Sequence, residues 1–402
     1  MNKNYSPQDF FACVPNTFLK QYFDNRHVMQ DIDFESKDDD DFNKKILASW
    51  AALDEVQRND METHFQEIHA LSNEKGMNAL IDEALFHEEA LNDTFEENEL
   101  VGFEARAFWA FLNRETLWKN ALSLNYADNL THWKKRSELG DYPAKVDEQS
   151  IQRFTKALAD YFGNDLYMEK NCQVDCLKRV IDDKSHDYFF AYPEDYARVI
   201  RDWDGESTKK INPKVHRKAL EVIFVYCREQ QSLDVWCQFP ASVVKDLQKI
   251  FAKEILGIEL AKPVKVKKEY ELDAFKQSMP NLIFSPQTGI EFIRVNKLRI
   301  TMSHSKDKIT LEANAHDDRQ AVYKLFEKLK NSVSGDVMNI TQVGLIAQFV
   351  PAENGKPQTR KFSMSYPDSC SLKHTGQDAI LRQMLIDSGI QPKPVTKVTD
   401  KQ

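Results

Sequence analysis

The sequence predicts an α+β protein, a helical N-terminal domain followed by an antiparallel sheet region. Three observations predict it. A strand–turn–strand–helix pattern recurs four times in the C-terminal two thirds; the N-terminal part spaces its apolar residues as helices do; and charge is segregated between the two.

In the N-terminal part, Met61, Phe65, Ile68 and Leu71 step along one helix face. Phe103–Leu112 (FEARAFWAFL) is apolar almost all round, which predicts a fully buried helix. Ile151, Phe154, Leu158 and Phe162 mark another, with Asp147 as its N-cap and Gly163 as its stop.

The first copy of the repeated pattern runs from Cys172 to Ile200. Cys172, Val174 and Cys176 alternate with polar residues, DYFFAYP (Asp187–Pro193) reads as the return strand, and Tyr196, Val199 and Ile200 space a helix over Glu194–Trp203. In the second copy, Ala219–Cys227 (ALEVIFVYC) is a nearly continuous apolar run of strand length, expected to be a central strand covered on both faces. Leu233, Val235 and Cys237 follow, then a helix through Val243, Leu247, Ile250 and Ile255 that stops at Gly257. The third copy alternates Leu298, Ile300 and Met302, returns through Ile309, Leu311 and Ala313, and closes with a helix stripe at Val322, Leu325 and Leu329. The fourth has Val343, Leu345, Ala347 and Phe349, then Phe362, Met364 and Tyr366, then Ile380, Met384 and Leu385. Adjacent copies give strand-strand-helix twice, a circular permutation of the ferredoxin-like order, with both helices expected on one face of a four-stranded sheet. The expected organisation is an acidic helical domain over 1–165, a first sheet unit over 170–257, a basic linker or strap over 258–289, a second sheet unit over 290–392, and a disordered tail over 393–402.

Of the formal net charge of -9, residues 1–100 contribute 8 basic and 23 acidic side chains, whereas 251–402 hold 23 basic and 17 acidic. The acidic helices read as solvated faces, or as a docking surface for a basic partner. The six cysteines are scattered without a C-x-x-C pair, and Cys172 and Cys176 read as core thiols. With a polar start (MNKNYSPQD) and no long apolar run, a cytoplasmic location and no membrane partner are expected.

The signatures of common chemistries are missing. There is no G-x-G-x-x-G, P-loop, G-x-S-x-G or H-E-x-x-H, and Asp202, Asp204 and Glu206 lack the distal Glu of a calcium loop. Glu62, His64, Glu67 and His69, with Glu83, His87 and Glu88, could in principle face a metal across two helices. The paired Glu-x-x-His that such sites use is missing, so no metal and no cofactor are expected. Basic and aromatic residues give the other candidate. Trp133, Lys134, Lys135 and Arg136 join a stacking ring to three charges. Lys265, Lys267 and Lys268 lie in the linker, Arg294, Lys297 and Arg299 lead into the third copy, and Arg360 and Lys361 precede the last strand. Sheets of this kind serve as nucleic-acid platforms through charge and stacking. The expectation is a non-catalytic binding or adaptor subunit of a bacterial cytoplasmic complex, its sheet region contacting a nucleic acid or a protein partner. The alternative is a metal-dependent hydrolase or nuclease in the acidic helices.

Overall fold

The computed structural model describes residues 5–35, 39–137, 139–163, 171–181, 183–203, 211–260, 268–302, 307–314, 318–330, 338–351 and 357–391. The expected disordered tail, 393–402, lies outside these residues, as do Lys265 and Lys267. The chain divides into two compact units, Met1–Asn129 with Val199–Val215, and Leu130–Arg198 with His216–Gln402.

The first unit is built from α1 (Pro7–Cys13), α2 (Asn16–Asn25), α3 (Asp39–Ala52), α4 (Glu55–Leu71), α5 (Glu74–Phe86), α6 (Leu91–Glu97), α7 (Phe103–Asn113) and α8 (Glu115–Asn129). Caps set several of the starts. The Asp54 carboxylate accepts from the Val56 and Gln57 N–H groups, and the Asn73 side chain accepts from Lys75 and Gly76. The α4 stripe Met61, Phe65, Ile68 and Leu71 is buried as expected. Phe65 sits among aromatic rings, with centroids 4.7 Å from Phe10, 5.0 Å from Tyr22 and 5.5 Å from Trp50. The expectation for α7 needs correction. Ala105, Ala107, Phe108 and Ala110 are buried, but Phe103 is 42% exposed, so one face and not the whole circumference is core.

The strands are β1 (Trp133–Arg136), β2 (Cys172–Ile181), β3 (Lys184–Pro193), β4 (Arg198–Trp203), β5 (Ile211–His216), β6 (Val222–Cys227), β7 (Ser232–Cys237), β8 (Ile290–Met302), β9 (Lys308–Glu312), β10 (Met338–Phe349), β11 (Gln358–Ser365) and β12 (Ser369–Cys370). The helix expected over Glu194–Trp203 is absent. Arg198–Trp203 is a strand that pairs only with β5 in a two-stranded ribbon. Val199 and Ile200 are β-branched and exposed, so no buried stripe exists to hold them in a helix.

The remaining ten strands form one sheet in the order β2-β3-β6-β7-β1-β12-β11-β10-β8-β9. Its strand pairings among the described residues are antiparallel. The permuted ferredoxin-like pairs are not reproduced. The β2-β3-β6-β7 half is a plain meander with no helix between β3 and β6 among the described residues. In the other half β8 lies between β9 and β10. Short β1 is the join, paired on one side with β7 and on the other with β12.

Among the described residues four helices cover the sheet, α9 (Glu148–Phe162), α10 (Ala241–Phe251), α11 (Ala321–Lys330) and α12 (Gln377–Asp387). Asp147 caps α9 as expected. A π-helical turn, Ala252–Leu256, extends α10 to Gly257, where φ is 71°. In the meander half, Phe189, Phe224, Leu233 and Val235 pack with α9 and α10 residues Phe154, Leu158, Leu247 and Phe251. In the other half, Leu298, Val343, Leu345 and Met364 pack with Val322, Phe326, Leu381 and Leu385 of α11 and α12. Register places these two apolar sets on opposite faces. Val235 pairs with Lys134, which pairs with Ser369; Ser369 pairs with Ser365, next to Met364. We call the α9/α10 side the lower face and the α11/α12 side the upper face. The helix layer therefore changes face at β1. The described part of the segment expected as linker or strap packs into the upper-face core through Tyr270, Leu272 and Phe275.

Candidate functional site

The change of face leaves the lower face of β8–β11 without helices among the described residues. Its side chains follow from register. Lys361, Ile346 and Arg294 form one row, Ser363, Gly344, Lys297 and Glu312 the next, then Ser365, Gln342, Arg299 and Thr310, then Asn339, Thr301 and Lys308. Lys134 and Ser369 continue the Arg299 row across the join. Five cations, Arg294, Lys297, Arg299, Lys308 and Lys361, thus share a surface otherwise made mainly of Ser, Thr, Gln and Asn.

Two bulges shape this surface. Between Lys297 and Val295 the register shifts, so Asn296 is an extra residue. Its Oδ1 and the Lys297 Cβ both crowd Gly344, where a Cβ would meet them at 3.0 and 2.8 Å. Gly344 is therefore the residue that lets two neighbouring side chains sit side by side there. The second bulge adds Thr341, whose carbonyl accepts from the Arg299 guanidinium at 3.3 Å and whose hydroxyl meets Thr301 Oγ1 at 2.8 Å. Arg299 is thereby held along the sheet. Lys297 donates to Glu312 at 2.9 Å in a partly solvated pair, which contributes little to stability. At the end of the face the Arg294 guanidinium carbon lies 4.0 Å from the Phe292 ring centroid, and Arg319 lies 5.2 Å from it.

Of the residues expected at a binding surface, Arg294, Lys297, Arg299 and Lys361 are brought together here. Others are not. Trp133 is fully buried and Lys135 is 2% exposed, so neither can meet a macromolecule. Both point to the upper face, where Lys135 Nζ donates to Ser232 Oγ at 2.9 Å and Asp234 Oδ2 at 3.3 Å. Lys134 is half-buried, 3.8 Å from Asp368. Arg136, opposite Leu233, lies on the helix-covered part of the lower face. Arg360 faces upward and grips Asp378 with two bonds of 2.5 Å. Lys268 is paired with Asp273 at 3.2 Å, a carboxylate that also accepts from the Ile340 N–H. Sequence reading missed Lys308 and Arg319. Lys308 begins a strand whose alternation was visible, and Arg319 lies beside α11 without any periodic signal.

The acidic helices of the first unit offer other geometry. Glu83, 3% exposed, accepts from Asn120 at 2.7 Å and pairs with His87 at 3.0 Å. His64 Nδ1 accepts from Arg26 at 3.0 Å and lies 2.9 Å from the Tyr22 hydroxyl; burial, then Arg26, lowers its pKa. Among the described residues no group of three or more His, Cys, Asp or Glu is arranged to hold a metal ion, and no helix is long and apolar enough to cross a membrane. No protein-family model matches the chain, and no curated protein matches it.

Proposed function

We propose that the protein is a non-catalytic binding subunit whose lower sheet face holds a single nucleic-acid strand by its phosphates. The supporting observation is the convergence of Arg294, Lys297, Arg299, Lys308 and Lys361, from three strands, on a face with no helix over it among the described residues. The surface is rich in hydroxyls and amides and carries one ring, Phe292, already engaged by two guanidinium groups. Charge and hydrogen bonding to phosphate dominate such a surface, so binding tolerates changes of sequence. Lys297 and Arg299 alternate along β8 and are ~7 Å apart along the strand, on the scale of successive phosphates in an extended chain.

The test uses the full chain and fluorescein-labelled single-stranded RNA and DNA, followed by anisotropy across a salt series. Three to five phosphate contacts give a slope of log K against log salt of about -2 to -3.5. Neutralising Arg294, Lys297 and Lys361 together to Ala flattens that slope by about 2. No salt-dependent binding by the parent chain sinks the reading. Equal binding by the triple variant moves the site elsewhere, and preferential capture of an acidic peptide by this face makes the partner a protein.

A further inference from the structure

On the upper face, away from the basic surface, a small, partly open cavity of about 30 Å3 lies against α12. The lining includes Lys135, Lys184, His186, His374, Arg382 and Gln383, all in the second unit. Register explains how the strands contribute. His186 pairs with Cys227 and Cys227 with Ser232, on the same face as Asp234 and Lys135. His374 follows β12, and Arg382 and Gln383 belong to α12.

These side chains present donors. The Arg382 guanidinium is fixed by two bonds to backbone, Nε to the Lys373 carbonyl at 2.9 Å and Nη2 to the Leu372 carbonyl at 2.7 Å. Its Nη1 is left, and the neighbouring carboxylate oxygen, Asp234 Oδ1, lies 3.8 Å from it, beyond hydrogen-bond reach. Lys184 Nζ donates to Gln383 Oε1 at 2.7 Å, which leaves two of its protons. His374, 8% exposed, has a buried Nε2 with no hydrogen-bond partner, held edge-on to Trp133 with centroids 4.8 Å apart. A nitrogen in that position is one that a ligand can satisfy. Two cations, Lys135 and Arg382, face the Asp234 carboxylate, Asp378 also acts on Arg382, and Glu229 acts on His186. A water occupies roughly 10–15 Å3 on this measure, so the space suits two waters or one ion of compact tetrahedral shape.

We infer that this cavity binds a tetrahedral oxyanion of the phosphate class, free or as the terminal group of a small metabolite. Arg382 Nη1, Lys184 Nζ and the Nε2–H tautomer of His374 are its donors, and Asp234 keeps Lys135 and Arg382 in place behind it. Lys135, Lys184 and Arg382 in the lining repel a metal cation and favour an anion. Burial holds His186 at a pKa of about 4 and pushes His374 well below its ordinary value, with Arg382 adding to the latter. An anion beside them favours their charged forms.

The test titrates the full-length protein with inorganic phosphate at constant ionic strength, by calorimetry and by thermal melting. Saturable one-site binding and a raised Tm are expected. Lys184→Ala, at the cavity mouth, and His374→Gln should each weaken binding by about tenfold, the effect of one charge-assisted hydrogen bond. Arg294→Ala with Lys361→Ala, on the opposite face, should leave it unchanged, which separates this site from the strand-binding surface. Tighter binding of glycerol 3-phosphate than of phosphate identifies a metabolite's terminal group, and weaker binding identifies the free ion. No saturable binding up to ~20 mM phosphate, an affinity too weak to use, overturns the site. So does parent-like affinity in both cavity variants.

Discussion

Two basic stretches of this chain look alike as sequence and meet opposite fates. Trp133–Arg136 sits at the middle of a ten-stranded sheet, and its Lys135 is a buried strut between Ser232 and Asp234. Arg294–Arg299 sits near one end of the same sheet, and its three cations lie on a face that carries no helix among the described residues. What separates them is the position at which the helix layer changes face. Alternation in a strand says that neighbours point oppositely; only tertiary pairing says which side is the interior.

The comparison breaks most sharply at Asp234. Asp234→Ala leaves Lys135 and Arg382 buried without their common counterion, which should cost about 3–5 kcal/mol in urea unfolding. Lys135→Met should cost less, because Asp234 keeps Arg382. A loss below ~1 kcal/mol for Asp234→Ala would mean that the centre of the sheet is as permissive as its end.

Acid is the next lever. The folded pKa of His186 lies at about 4 against an ordinary 6.5, with burial as the main cause. A depressed histidine stabilises fully above the unfolded value. That contribution is lost as pH falls from about 6.5 towards about 4, while the unfolded chain takes up the proton and the folded one does not. The loss is on the order of 3 kcal/mol. His186→Gln should flatten the dependence of urea midpoint on pH across that window; an unchanged slope would show that Lys135, Asp234 and Glu229 around it set the acid response instead.

Arg360 sharpens the contrast within one strand. Arg360→Ala removes both bonds to Asp378, which is 4% exposed, and should cost about 2 kcal/mol. Lys361→Ala, one residue on and facing the other way, should change stability by less than ~0.5 kcal/mol yet weaken nucleic-acid binding measurably. Equal melting temperatures for the two variants would erase the distinction between faces.

Much of the architecture was legible beforehand. The α+β class follows from 3.6-residue and two-residue periodicities that the structure retains in α4, α9, β6, β8 and β10. Of the apolar run Ala219–Cys227, the strand takes Val222–Cys227, buried at every position, whereas Ala219 before it is exposed. The ribbon β4/β5 was not legible, because Tyr196, Val199 and Ile200 fit a helical spacing as well as a strand, and pairing decided between them. The basic surface was half legible. Arg294, Lys297, Arg299 and Lys361 could be singled out by charge, but nothing local separates Lys361 from Arg360 or Lys297 from Lys135. The cavity was not legible at all, since Lys184, His374 and Arg382 are brought together only by the fold.

Strand β1 also bears on the order in which the molecule can be made. During synthesis it leaves the ribosome first of the ten sheet strands, and Ser232, which binds its lysine, follows 97 residues later. Its other edge is matched only when Ser369 and Cys370 arrive. Contacts of such long sequence separation form slowly. Until both halves exist, a nascent chain therefore exposes two open edges around a lysine destined for the interior, which makes β1 the natural point of vulnerability to mispairing and to chaperone capture.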